Sequence, residues 1–526
     1  MDVLSHPIGK LYTELSPTGA YLEGLEEFGG QVVIPLEGWR REMLGRTTAL
    51  MNSWKEPVLD AFRVLLTIEP EYPAPLDTLA ELLYGYLIKD APEKYLKQAL
   101  STISKDLPKF IKEIEKRQLT LEERVMVNVS AEYVFGTASI WKTRNLSEGT
   151  LKLLDELLGL CKDFANCYGV PELRELDCDS GLGYMKKNAN EKRLVRPYYP
   201  ELTSKCYGYE ETPNEIVTKA KRWIEEELDN YRNAIKKLEE IGGEEAVKKE
   251  FALPVEEKEL VNLVNKVRSV LADIATNYFI TFPPHYDVRV TPTPEFLRPL
   301  IPSGAASGYN TLTDKPFVLY YTTPGGIDHM VDLVHLTFHE EYGHAVHMMW
   351  VSEDAELSIP RKITSTLSLP VSEGIAFHRE REILELFTTE ENVLKKVLSI
   401  CGGDKDLFLA TLRYHTLKWR IMRYIRAYAD PQYNMGWKMF ENVIEETTNW
   451  TGVPKEMVFA QLFNFLPRPG YAPSYSLAAR LVMELQEVAL KRGIRRRDFN
   501  TWVARAGYIP LPMLKEHLMS KISSST

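Results

Sequence analysis

The sequence predicts a mainly α-helical protein of two lobes, with a small β element just before a histidine-rich helix. Three observations carry this. Apolar residues recur at helical spacing through most of the first 200 residues. A stretch without clear period, residues 187–211, then interrupts the pattern. Beyond it, residues 283–326 hold the best β-branched and aromatic runs, YDVRV and FVLYY, bounded by Pro, Gly and Thr. The expected division is an N-terminal helical lobe over 1–200 and a second helical lobe over 201–526 that carries the chemistry.

In the first lobe the spacing predicts helices over Tyr95–Ile103, Phe110–Leu119, Leu121–Ile140 and Leu151–Tyr168, with Pro108 as a break between the first two. The GLG at Gly181–Gly183 is too short for a phosphate-binding fingerprint and reads as a loop. Thr212-Pro213-Asn214-Glu215 opens the second lobe as a helix start, with Thr as N-cap, Pro at N1 and Glu at N3. That helix stops at Gly242-Gly243, and another covers Glu256–Phe279. After the strands a helix starts at Asp328 and runs to Trp350. Later helices begin near Ser372, Leu407, Trp437 and Lys455, and the segment LPRPGYAPSYSLAARL enters one that ends at Gly493.

Composition narrows the function. The chain has 526 residues, 44% apolar and 26% charged, with net charge -10. An acidic balance argues against nucleic acid as a partner, because no basic excess is available for phosphates. No apolar run reaches the ~18 residues that span a bilayer, and the start, MDVLSHPIGKLY, lacks a signal-peptide pattern. Five scattered cysteines without CxxC pairs suit a reducing compartment, so a cytoplasmic protein is expected.

The chemistry concentrates in HEEYGH, His339–His344. Four of the chain's 10 histidines, His335, His339, His344 and His347, fall within thirteen residues of one apolar helix. Burying them beside two carboxylates is costly unless something binds them, and zinc is the usual reason. The helical zinc-peptidase motif HExxH puts two His at i and i+4, with the Glu as general base. Here the spacing is i and i+5, which on a regular α-helix separates the two side chains by about 140°. One extra residue absorbed as a π-bulge restores a shared face, and Gly343 is placed to tolerate it. The pair His335 and His339 already has i, i+4 spacing but lacks the Glu directly after its first His.

A catalytic zinc takes three protein ligands and leaves one position open. His339 and His344 supply two. Glu373, on the following helix, is the candidate third. Glu340 is the candidate base for the metal-activated water. Tyr471 and Tyr475 are candidate donors to the developing oxyanion, ahead of His378 and His415. Ligand histidines usually pass their second N–H to a carboxylate, for which Glu380 and Glu341 are candidates.

TFHEEYGHAVHMMW resembles the thimet-oligopeptidase and angiotensin-converting-enzyme type of helical zinc peptidase (gluzincins), and its HExxGH spacing resembles the dipeptidyl peptidase III family. The chain is most similar to a large uncharacterised prokaryotic peptidase-like family with HExxPGH, then EGWALYAE, then PGxxLSY. Those read HEEYGH, EGIAFHRE and PGYAPSY here, in the same order. The Pro of HExxPGH is missing, and Ile375 and His378 stand for the Trp and Tyr of the second motif. The resemblance covers roughly residues 205–490. It implies metal ligands at His339, His344 and Glu373, a base at Glu340 and a functional tyrosine at Tyr475.

The expected protein is a two-lobed zinc metallopeptidase, one zinc per chain, with a deep cleft that admits short or unfolded peptides. It acts as a carboxypeptidase or oligopeptidase. A zinc amide hydrolase of aminoacylase type and a non-catalytic helical scaffold are the alternatives. Peptides are the expected partners, with no nucleic acid and no membrane.

Overall fold

The computed structural model describes residues 3–68, 74–115, 118–170, 178–188, 190, 193–254, 256–298 and 301–525. It is mainly helical, with one three-stranded sheet among the described residues. No described helix is long and apolar enough to cross a membrane, and none of the five cysteines forms a disulfide. The chain divides into two compact units, one of Met1–Cys206, Gln432–Thr448 and Pro454–Pro469, the other of Tyr207–Pro431, Asn449–Val453 and Gly470–Thr526.

The first unit holds helices and no strand among its described residues, and two local expectations are corrected there. Pro108 lies inside one helix, Glu93–Ile114. Proline removes a helix hydrogen bond and crowds the preceding turn. The buried stripe of Leu96, Leu100, Ile103, Leu107, Phe110 and Ile114 runs through it and outweighs that penalty. Gly181–Gly183 is likewise no loop but part of the helix Cys178–Lys187. A Cβ on Gly181 would sit 2.6 Å from the Phe459 ring, so the glycine is there for close approach. Within 187–211 the chain forms one turn at Tyr199–Glu201 and a π-turn at Leu202–Cys206, while residues 189 and 191–192 lie outside the described residues.

The second unit opens as expected. Thr212 and Glu215 form a reciprocal capping box ahead of the Pro213–Glu240 helix, and Gly242 turns the chain at φ +116°. The helix Glu257–Ile274 ends in a π-turn, Ala275–Phe279. Strand β1, Val288–Pro292, and strand β3, Phe317–Thr322, pair in parallel, Val290 opposite Tyr320. Between them in sequence, β2, Gly304–Tyr309, pairs antiparallel with β3 and forms the sheet's other edge. β2 reads GAASGY and has no β-branched residue; its small side chains let the sheet lie against the next helix, where Gly304 meets Leu336 and Gly308 meets Met348.

That helix is the centre of the unit. Its core face, including Leu333, Val334, Phe338 and Tyr342, packs with Leu271, Ile383, Phe387 and Phe408. Each such fully buried side chain contributes roughly 1.5–3 kcal/mol. The N-cap is His329, not Asp328: its Nδ1 accepts the Asp332 N–H at 3.0 Å. An imidazole lone pair satisfies an orphan donor as an Asx oxygen would.

Candidate metal centre

The helix carrying HEEYGH is interrupted where the spacing requires it. Met330–His339 is α, Glu340–Ala345 is π, and Val346–Glu353 is α again. The wider turn returns His344 to the face of His339, and the two Nε2 atoms stand 3.2 Å apart. Gly343 serves the site by its lack of a side chain more than by its flexibility. A Cβ there would lie 2.5 Å from Ala376 Cα. Ala376 belongs to the helix Ser368–Thr389, which carries Glu373 on its second turn. Gly374 plays the same part on the far side, where a Cβ would meet Ala478 Cβ at 2.4 Å, drawing in the helix Pro473–Lys491 that carries Tyr475. Glycine and alanine thus stack three segments closely enough for their polar side chains to meet.

His339, His344 and Glu373 converge, each offering a ligand atom within 4.8 Å of the others, and all three are buried. The outer atoms of each are held. His339 Nδ1 is 2.7 Å from Glu380 Oε1, and His344 Nδ1 is 2.9 Å from Ser372 Oγ. Glu373 Oε1 accepts the Tyr471 hydroxyl. Its Oε2 makes no hydrogen bond among the described residues and lies 3.4 Å from His344 Nε2. With Nδ1–H of His339 given to a carboxylate, its Nε2 presents a lone pair inward. Two nitrogens bound tetrahedrally at about 2.0–2.1 Å stand about 3.3–3.4 Å apart, close to the separation here. An orphaned buried carboxylate oxygen beside two facing imidazole nitrogens therefore fits a zinc ion well.

The electrostatics divide the two histidines: burial opposes protonation of His344, but the Glu373 and Glu340 carboxylates outweigh it and raise its pKa. Burial drives His339 down to about 4, against the pull of Glu380, so the ring is neutral. Burial would raise Glu373, but the neighbouring His344, with help from His339 and the Tyr471 hydroxyl, outweighs it and holds the carboxyl at about 2. Glu380 is fully buried yet held well below the ordinary carboxylate range: burial opposes ionisation, and Arg423, His335 and His339 overcome it. Arg423 bridges it with both terminal nitrogens, at 2.6 and 2.8 Å.

Glu340 follows His339 and accepts the Ala306 N–H of β2 at 2.7 Å. Its other oxygen is 3.9 Å from His339 Nε2. Burial raises it to about 7. Tyr475 is stacked on Tyr471 with centroids 5.8 Å apart. Burial, then the Glu373 charge, raise its phenol well above the usual value, so it remains a donor.

Several candidates lie elsewhere or do something else. Tyr471 donates its hydroxyl to Glu373 Oε1. Glu341 points away from the ligands: Arg268 grips it and also the Val288 carbonyl of β1. His378 is 3.5 Å from Glu382, and His415 is 2.8 Å from Asp332. His335 is 3.5 Å from the outer carboxylate Glu380, so the pair His335 and His339 shares that residue and not the centre. Sequence reasoning missed Ser372, Ala306, Arg423 and Arg426. Only the arginines left a signal: with Arg420 they set three cations at i, i+3 and i+6 in the apolar run RIMRYIRAYA.

A comparison with curated protein sequences finds no match. Two solved structures, each described as a "putative lipoprotein", are similar in fold. One is from Colwellia psychrerythraea, with 15% identity over 98% of this chain and 98% of that one at TM-score 0.69. The other is from Shewanella oneidensis, with 15% identity over 98% and 99% at TM-score 0.66. The family described as "Bacterial protein of unknown function (DUF885)" matches residues 171–518, well over half of the chain and every residue of the centre; the protein belongs to that family.

Proposed function

We propose that this protein is a zinc-dependent metallopeptidase of the helical gluzincin type, hydrolysing short peptides. The observation that carries the reading is the convergence of His339 Nε2, His344 Nε2 and the unsatisfied Glu373 Oε2, with Glu340 adjoining. Zinc bound there brings a coordinated water to a pKa near 7 and polarises the scissile carbonyl.

The chain's own groups supply the rest. Glu380 and Ser372 fix the two imidazoles with Nε2 inward. The Ala306 N–H aims the Glu340 carboxylate, which takes the proton of the attacking water and returns it to the leaving amine. Tyr475 donates its phenolic hydrogen to the oxyanion at no charge of its own. A two-lobed form with a deep cleft, and residence in the cytoplasm, belong to the same proposal.

Metal content by mass spectrometry, on protein purified without a metal-affinity tag, tests this directly. The expected result is about one zinc per chain, lost in His344→Ala. Glu340→Gln keeps the metal and loses peptide turnover. A panel of peptides against N-acyl amino acids separates peptidase from aminoacylase. Wild-type protein that takes up no zinc when offered it overturns the reading in favour of a helical scaffold.

A further inference from the structure

Glu340 and Glu341 stand side by side in the π-turn Glu340–Ala345, and both are buried. Successive residues of a helix point roughly 100° apart, so the two carboxylates leave the turn in different directions. Glu340 accepts the Ala306 N–H of β2 at 2.7 Å. Glu341 is gripped by Arg268, on the helix Glu257–Ile274, through Nε and through a terminal nitrogen at 2.8 Å. The same terminal nitrogen donates to the Val288 carbonyl of β1 at 3.1 Å. The Tyr286 hydroxyl donates to Glu341 at 3.2 Å, and the Tyr342 hydroxyl to the Arg268 carbonyl at 2.9 Å.

β1 and β2 are the two edges of the sheet, with β3 between them. Neighbouring residues of the π-turn therefore hold both edges, Glu340 directly and Glu341 through Arg268. The links close a ring that runs from Glu340 through β2, β3, β1, Arg268 and Glu341, and back by the peptide bond. Val290, Tyr320 and Ala306 lie in one row across the sheet, two residues from Val288. A closed network of this kind is stiffer than its separate bonds, because no member can shift without breaking another link. Removing Arg268 opens the ring and leaves Glu341 a buried carboxylate without its cation. The group at the far end of the ring is Glu340, the assigned base. The two histidines are oriented from outside it, by Glu380 and Ser372.

We propose that Arg268 is the positioning residue of the general base: by clamping Glu341 to β1 it holds Glu340 against β2, at the edge of the metal centre. This rests on the peptidase reading above and adds to it the residue that places the base.

The test measures kcat, KM and zinc content of wild type, Arg268→Gln and Arg268→Lys with a short peptide that wild type cleaves. Arg268→Gln is expected to lower kcat about 10²-fold, the scale of a reacting group misplaced by about 1 Å, with KM and zinc content at wild-type values. Arg268→Lys keeps the charge but not the two-pronged grip, and recovers part of the rate. Hydrogen exchange of β2, read by mass spectrometry, needs no turnover. The segment holding Ala306 should exchange faster in Arg268→Gln, while the helix Met330–His339 stays as protected as in wild type. If Arg268→Gln does not fold, Arg268→Lys carries both readouts. A wild-type kcat, a loss of zinc in step with the rate, or unchanged exchange of β2 overturns the proposal; with Glu340→Gln inactive, the peptidase reading still stands. If no peptide is cleaved, or if Glu340→Gln keeps full activity, the peptidase reading fails and the exchange alone decides whether Arg268 holds Glu340 to β2.

Discussion

Gly343 lies so close to Ala376 that a Cβ on the glycine would stand 2.5 Å from the alanine Cα. The contact is backbone on one side, so it cannot be relieved by rotating a side chain. Gly343→Ala is expected to push the π-turn from the Ser368–Thr389 helix, costing about 1–3 kcal/mol as an overpacked core does. It should also separate His344 from Glu373. Thermal unfolding and zinc content read both effects; wild-type values for both would show that the close approach is dispensable.

Ser372 holds the outer nitrogen of His344 at 2.9 Å. Ser372→Ala removes that partner and leaves the three ligands in place. Outer-shell partners are worth about 10–100-fold in metal affinity. Competition with a chromophoric chelator should show zinc binding weakened by that order, with the fold unchanged by circular dichroism. An unchanged affinity means that the serine does not orient the ring.

The two stacked tyrosines are expected to separate by phenotype. Tyr475→Phe removes the proposed oxyanion donor, so kcat is expected to fall about 10²–10³-fold with KM and zinc content close to wild type. Tyr471→Phe frees a Glu373 oxygen, so its first effect is on zinc affinity. Steady-state kinetics beside metal titration distinguish them. Identical effects of the two variants on kcat and on affinity would contradict the division of roles.

Glu382 ties the Ser368–Thr389 helix to Asn500 and Gln486 from a fully buried position beside Arg379. Its carboxyl is held far below the ordinary range: burial opposes ionisation, but Arg379, His378 and Arg496 outweigh it. A carboxylate with depressed folded-state pKa contributes stability above its unfolded value, about 4.3, and loses it as pH falls from there. Denaturant unfolding at several pH values should show stability dropping below about pH 5. Glu382→Gln should flatten that drop and cost about 3–5 kcal/mol at pH 7, because it leaves Arg379 buried without its counter-charge. The same slope in both proteins would assign acid sensitivity to other carboxylates.

Much of the centre is legible in sequence because its grammar is local. The i, i+5 spacing of His339 and His344 admits a shared face only through an extra residue in the turn, and the π-segment Glu340–Ala345 supplies it. Glu380, seven residues after Glu373, falls two helical turns along the same face, where it reaches His339. The capping box at Thr212 is equally local.

What the sequence determined by itself is therefore the helical character, the candidate ligand residue types, their spacing and the π-turn that spacing demands. The tertiary structure decided what each polar group is used for. Glu341 goes to Arg268, Tyr471 to Glu373 and Glu340 to the Ala306 N–H, pairings between segments tens of residues or more apart that no local pattern encodes. β2 exists because β3 offers it a partner, not because GAASGY favours a strand, and Pro108 stays helical because a buried stripe runs through it. The physical reason is the same each time. Local propensities are worth about 1 kcal/mol or less per residue. Packing a whole face, or satisfying a buried charge, is worth several, so the contacts made at long range decide.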